Sequence, residues 1–270
     1  MKSVFQYLKN QFSYLPVMSR ITKYDQKNNY QSYALGILWQ YISPLSLMFF
    51  YYLMYSVLFH RTTVGANNLP YIPWLVMGMA VWTFTNSATR GALRSILGNF
   101  GLANKISIPK SIFPTISMLS RMSEFLVLTG LALIVSTAKG YGPSKYWLGF
   151  IYCFIATVAF CMALGLFNAV VTVIYRDYSQ LYTSVMRIGM FISGAMIDLR
   201  DRNMPGPVRK GIMLNPFYYL TESWRDAMFS ERWFWQNGTY TIFFWAMILL
   251  LFIFGVHLYN KYEESFGDYI

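Results

Sequence analysis

Apolar and polar positions alternate along this chain in long blocks, and the blocks predict helices. Val4, Leu8, Phe12 and Leu15 share one helical stripe, with Lys2, Gln6, Lys9 and Asn10 elsewhere. That spacing predicts an amphipathic helix lying on a membrane surface and ending near Pro16. A polar elbow, SRITKYDQKNNYQSY, separates it from the first long apolar run, about Leu38 to Phe59. Further runs cover Ile72–Ala88, Ile112–Ala138, Trp147–Ile174, Tyr182–Leu199 and Thr239–Leu258. A helix needs roughly 17–25 residues to cross a hydrocarbon core of about 30 Å. Unpaired backbone groups are not tolerated in lipid, so each run is expected to be a helix. The pattern therefore predicts an all-α integral membrane fold with six transmembrane helices. Residues 1–35 form an interface helix and elbow, and residues 36–270 the membrane domain.

One stretch breaks the pattern. LNPFYYLTESWRDAMF, from Leu214 to Phe229, opens on a helix-start signal, Asn215 before Pro216. It is rich in aromatics, yet Glu222, Arg225 and Asp226 sit inside it. As a seventh crossing it would hold those ions unshielded at depth, which is costly. Two readings stay open at this point. It is either a short re-entrant or interfacial helix guarding the outer mouth of a pathway, with Asn215, Pro216, Tyr219, Glu222 and Arg225 as gate residues, or an amphipathic helix packed on the outer surface.

Composition agrees with a membrane solvent. Of 270 residues, 56% are hydrophobic and only 12% charged, against about a quarter charged in soluble domains. The 19% aromatic share suits membrane–water boundaries. The net charge of +11 does not point to nucleic acid, because the basic residues fall between apolar runs rather than on a solvated face. They suit anionic membrane lipids and topology instead. Lys2, Lys9, Arg20, Lys23 and Lys27 precede the first run, and Arg90, Arg94, Lys105 and Lys110 occupy the second connection. The first connection carries Arg61, and the third Lys139 and Lys145. This asymmetry predicts both termini in the cytoplasm of a plasma-membrane protein. The basic residues between Arg200 and Gly238 run against it. Cys153 and Cys161 are about 12 Å apart along one helix, too far to bridge each other. The N-terminus lacks the continuous apolar core of a cleaved signal peptide.

Candidate chemistry lies in scattered polar groups. In the second connection Leu93, Ile96, Leu97 and Phe100 share a helical face, followed by Lys105. That face could dock in a groove of a partner or lie on the inner leaflet. Arg121 and Glu124 are spaced to pair within the third run. Arg187, in the fifth run, has no acid at helical spacing; it either snorkels to the surface or meets an anionic substrate in a wet pathway. Tyr51, Tyr52 and Tyr55 belong to an aromatic block that is either packing or a sliding surface for sugar rings. There is no GxxxxGK[ST] loop, no HExxH and no metal-spaced His/Cys cluster. No catalytic, cofactor or metal residues are therefore assigned to this chain. Energy for active transport would come from another chain or an ion gradient.

Five segments, in order, resemble the membrane subunit of ABC-2 type polysaccharide exporters, nearest the wall teichoic acid permeases of Gram-positive bacteria. They are SYALGILWQYISPL, NKISIPKSIFPT, VIYRDYSQL, MRIGMF and LNPFYYLTESWRDAMF. The chain departs from that pattern at Ser43-Pro44, where the family often has Asn-Pro, and at Ser193-Gly194, where it often has Ser-Pro. The resemblance implies a homodimer joined by two copies of a separate ABC ATPase, which would hold ATP and Mg. It implies a coupling helix over residues 91–104, with Arg176 and Asp177 in the other cytoplasmic contact. It also implies short gate helices between the fifth and sixth spans, and a conduit near Tyr51, Tyr52, Tyr55 and Arg187. The cargo implied is a lipid-linked anionic glycopolymer. An integral membrane enzyme acting on lipid-linked sugars, and an exporter of O-antigen, capsule, drug or lipid, are the alternatives.

Overall fold

A computed structural model of the chain describes residues 2–58, 60, 63–65, 67–106, 108–199 and 205–269. The described chain is almost wholly helical. The first two helices, α1 (Lys2–Ser13) and α2 (Leu15–Tyr30), precede α3 (Trp39–Tyr52), which continues as a π-helical stretch, Leu53–Leu58. A two-residue antiparallel ladder, β1 (Thr63–Val64) with β2 (Leu69–Pro70), leads into α4 (Tyr71–Leu93). Next come α5 (Ser95–Ile106), α6 (Phe113–Ala138), α7 (Gly149–Ile174) and α8 (Tyr178–Ile192). The chain ends with α9 (Gly206–Met213), α10 (Pro216–Met228), α11 (Gly238–Tyr262) and α12 (Phe266–Tyr269).

The axis of the bundle is α4. It packs chiefly on α6 and α7, while α11 lies against the other side of α7. Met77, Ala80, Val81 and Ala92 of α4 are fully buried. So are its polar residues Thr85 and Thr89, which turn their hydroxyls onto backbone carbonyls one turn back, at 2.9 and 2.7 Å. Tyr182 of α8 then donates to Thr89 Oγ1 at 2.8 Å, and Asn168 of α7 donates to the Thr89 carbonyl at 3.2 Å. Polar groups satisfied between helices in this way hold a bundle where water is absent. The threonines and Asn86 also make α4 less apolar than α6 and α7.

Among the described residues, three segments are long and apolar enough to cross a membrane by themselves: Lys110–Ala138, Lys145–Ile174 and Gly238–Tyr262. Their outward side chains, such as Ile134, Ile151, Ile242 and Leu250, are more than 60% exposed, which suits contact with lipid. The other three expected crossings are shorter or more polar than these. α3 has only 14 residues before the π-helical stretch, with Pro44 inside it. α4 spans 23 residues but carries the polar groups just described. The fifth run, expected over Tyr182–Leu199, is a helix only from Tyr178 to Ile192. Its 15 residues rise about 22 Å, less than a hydrocarbon core of about 30 Å. Gly194, at φ +69°, takes the left-handed conformation that stops a helix, and Ser193 Oγ accepts from the Ala195 N–H at 3.3 Å. The departure at Ser193-Gly194 is thus the end of the helix, followed by turns.

The N-terminal helices are clipped to the bundle. In α1, Tyr7 and Gln11 are buried, and Gln11 donates to the Ser111 carbonyl at 3.0 Å. Leu8, Phe12 and Leu15 of the predicted lipid stripe stay exposed. Gln26 of α2 and Gln40 of α3 both donate to the Ser120 carbonyl of α6, at 2.7 and 3.3 Å. Burial of α2 against α6 raises the pKa of Asp25 above the usual carboxylate value.

Candidate functional site

The charged stretch that broke the sequence pattern is α10, and its start follows from local chemistry. Asn215 caps it, its side-chain oxygen accepting from the Phe217 N–H at 3.0 Å, and Pro216 occupies the first turn. The Asn215 amide also donates to the Ile192 carbonyl at 3.2 Å, so one side chain starts α10 and finishes α8. The helix is wedged between α4 and α7, with Tyr218 to Thr221 and Trp224 to Met228 buried. Trp224 donates to Thr157 Oγ1 at 3.0 Å and lies between the rings of Phe125 and Phe150. Tyr219 stacks on Phe244, and its hydroxyl bonds Tyr152 at 2.8 Å and Thr241 at 2.9 Å.

Arg225 holds this wedge in place and is 2% exposed. Its Nε donates to the Trp74 carbonyl at 3.1 Å, Nη1 to the Gly194 carbonyl at 2.7 Å, and Nη2 to the Ala195 carbonyl at 2.8 Å. Nη1 also meets Glu222 Oε1 at 2.9 Å, and the guanidinium lies 3.3 Å from the centre of the Trp74 ring. A buried charge is tolerated when paired and hydrogen-bonded in this manner. Gly78 makes room for it, because a Cβ there would lie 2.0 Å from Arg225 Nη2 and 2.5 Å from the Ala195 carbonyl. Gly194 likewise lies under the Tyr218 ring. Trp74, Gly78 and Ala195 were not among the residues singled out in sequence, and Gly194 was noted there only as a departure from the family pattern. The traces of the arrangement there are that departure and a glycine in an otherwise bulky helix.

The other sequence candidates fall in separate places. Tyr51 is half-buried and its hydroxyl lies 4.0 Å from Met190 Sδ of α8, while Tyr52 packs against the core. The side chain of Tyr55 lies outside the described residues. Arg187 is exposed on α8, beside a run of exposed Leu181, Val185, Ile188 and Phe191. Arg121 meets Glu124 at 3.9 Å.

The apolar face expected to look outward from the second connection looks inward. The connection is two helices with a break at Arg94 rather than one helix over residues 91–104. Leu93 and Ile96 are buried, and Leu97 and Phe100 pack on a cluster of Tyr7, Leu166, Val170, Tyr259 and Phe266. Lys110 Nζ lies 4.7 Å over the Phe100 ring. The exposed face of this connection carries Arg94, Gly98, Gly101 and Lys105. Arg176 and Asp177 are exposed in the turn between α7 and α8.

The chain is 21% identical over 222 residues to the O-antigen export system permease protein RfbA of Myxococcus xanthus, covering 82% of this chain and 83% of that protein. Residues 17–229 match the sequence pattern of ABC-2 type transporters. That match takes in the helices from α3 through α10 and most of the chain's length, so the chain belongs to the ABC-2 type transporter family.

Proposed function

We propose that this chain is the membrane-spanning subunit of an ABC exporter that moves a lipid-linked anionic glycopolymer outward, of the wall teichoic acid class. The observation that carries polysaccharide export is the likeness to an O-antigen export permease along four-fifths of the chain. The anionic polymer is supported by the resemblance of the five segments quoted above to teichoic acid permeases. In this reading the chain crosses the plasma membrane six times with both termini in the cytoplasm, and works as a homodimer with two copies of a separate ATPase. ATP and Mg belong to those partners.

Coupling would use the exposed side of α5, with Gly98, Gly101 and Lys105, together with Arg176 and Asp177. Ile96, Leu97 and Phe100 serve it from beneath, fastening α5 to α1, α7, α11 and α12 so that a push on α5 reaches the bundle, while Leu93 at the end of α4 packs in the main core. ATP can shift the permease only by favouring one of its states through the partner. The outer gate is α10, with Asn215, Pro216, Tyr219, Glu222 and Arg225, and Tyr51, Tyr52, Tyr55 and Arg187 face the cargo when the bundle opens.

Depletion of the chain from its native cell tests the reading. Polyprenyl-linked polymer should accumulate on the inner side of the membrane while its synthesis continues. Normal surface polymer after depletion would end the proposal.

A further inference from the structure

Arginines stand at both ends of α4, and one end leaves them short of partners. Arg90 at the close of α4, Arg94 in the break that follows and Arg121 of α6 line a cleft of about 550 Å³ with Ser87, Ser179 and Thr183. Arg94 Nη2 meets Ser179 Oγ at a long 3.4 Å. Among the described residues no carboxylate pairs with Arg90 or Arg94, and Arg121 has Glu124 at 3.9 Å. The hydroxyls of Ser179 and Thr183 already donate to helix carbonyls, at 3.0 and 2.8 Å. The guanidinium groups are therefore the charged lining groups with donors to spare, five N–H bonds in each, beside the side chains of Ser87 and Gln180. Three of them against one carboxylate leave an excess of two positive charges.

A second cleft of about 480 Å³ shares Ser87 and Arg121 with the first. Its wall is α3, carrying Trp39, Gln40, Ser43 and Phe50, faced by Thr83 of α4 and Glu124 of α6. Trp39 and Phe50 are 42% and 65% exposed. Flat aromatic faces beside amide and hydroxyl groups suit a sugar ring, which offers C–H faces and a rim of hydroxyls.

We propose that the joined clefts hold the head of the transported lipid, with a diphosphate among Arg90, Arg94 and Arg121 and the sugar attached to it against Trp39 and Phe50. The proposal deepens the export reading, on which it rests. Forked guanidinium groups bind phosphate oxygens in pairs. A diphosphate diester carries two negative charges, matching the excess in the cleft. The phosphodiester of an ordinary anionic phospholipid carries one, so charge selects the carrier lipid over the bulk bilayer.

The test uses the full chain, purified in nanodiscs of zwitterionic lipid, with radiolabelled farnesyl diphosphate as probe. Binding should saturate, be displaced by inorganic pyrophosphate, and be untouched by farnesol or by phosphatidylglycerol added to the disc. Arg90→Gln and Arg121→Gln should each weaken it about 10- to 100-fold, the loss of a charge-assisted hydrogen bond. Arg94→Lys should weaken it less than Arg94→Gln, because the charge remains and the fork does not. Arg121→Gln uncovers a buried Glu124, so Arg90→Gln is the variant that keeps the test independent of folding. Displacement by phosphatidylglycerol as strong as that by pyrophosphate would assign the arginines to ordinary lipid anchoring and overturn the site. Unchanged binding in the triple Gln variant would overturn it too. Polymer export that persists in that variant also removes the site while leaving the export reading standing. Specific binding by a chain whose depletion leaves surface polymer normal keeps the site and removes the export reading.

Discussion

The two ends of α4 put the same side chain to opposite use. Near its start, Trp74 and Gly78 receive Arg225, whose donors meet three carbonyls and a carboxylate in a space where a single added carbon does not fit. Twelve residues on from Gly78, which is about 18 Å along the axis, Arg90 faces an open cleft with Arg94 and Arg121. A saturated arginine fixes structure, and removing it strands the groups it satisfied. An under-partnered arginine contributes little to folding and is available to a ligand. Position on a helix does not separate these roles; the inventory of partners does.

The largest expected effect is at the saturated end. Arg225→Met leaves three buried carbonyls without their donor and breaks the ion pair with Glu222, and should cost about 3–5 kcal/mol. Thermal unfolding in detergent, followed by size-exclusion fluorescence, would show the folded peak lost or shifted far down. Arg225→Lys should rescue little, since one ammonium cannot span the same acceptors; full rescue would show that charge alone matters there. Gly78→Ala comes next, at about 1–3 kcal/mol for overpacking. Combined with Arg225→Ala it should cost less than the sum, because the clash with the guanidinium goes while that with the Ala195 carbonyl stays. Strict additivity would separate Gly78 from the clamp.

At the open end the signs reverse. Arg90→Gln and Arg94→Gln should leave the unfolding midpoint near that of the parent, within about 0.5 kcal/mol, while polymer export falls. A loss of stability there comparable to Arg225→Met would erase the contrast between the two ends. The smallest effect concerns α2. Burial raises the pKa of the Asp25 carboxyl in the folded state, so its protonation favours the docked helix. That contribution is present below the unfolded carboxylate range and fades as pH rises through the folded value. Asp25→Asn should flatten this slight pH dependence of the midpoint between acid and neutral solution.

How much of this could be read in the sequence depended on the distance over which each feature is decided. The start of α10 was legible because an Asn-Pro cap acts within three residues. The clamp was not, because Arg225 bonds carbonyls 30 and 151 residues away, and a carbonyl has no sequence signature. Helical periodicity located the stripe of Leu93, Ile96, Leu97 and Phe100. Periodicity states that a face must be covered and not by what, and α1, α7, α11 and α12 of the same chain cover its Ile96, Leu97 and Phe100. Composition gave the long apolar segments α6, α7 and α11. It overextended the fifth helix because residues 195–199 are apolar enough to continue it, whereas Gly194 turns the backbone away. The cationic cleft escaped notice because Arg90 and Arg94 belong to one connection and Arg121 to another helix, and only packing brings them together.

The export reading is tested most directly by ATP hydrolysis in the complex that co-purifies with this chain, reconstituted in nanodiscs. Adding lipid-linked teichoic acid precursor should raise turnover above the level seen with the polyprenyl phosphate alone. No associated ATPase, or a rate indifferent to the precursor, would contradict it.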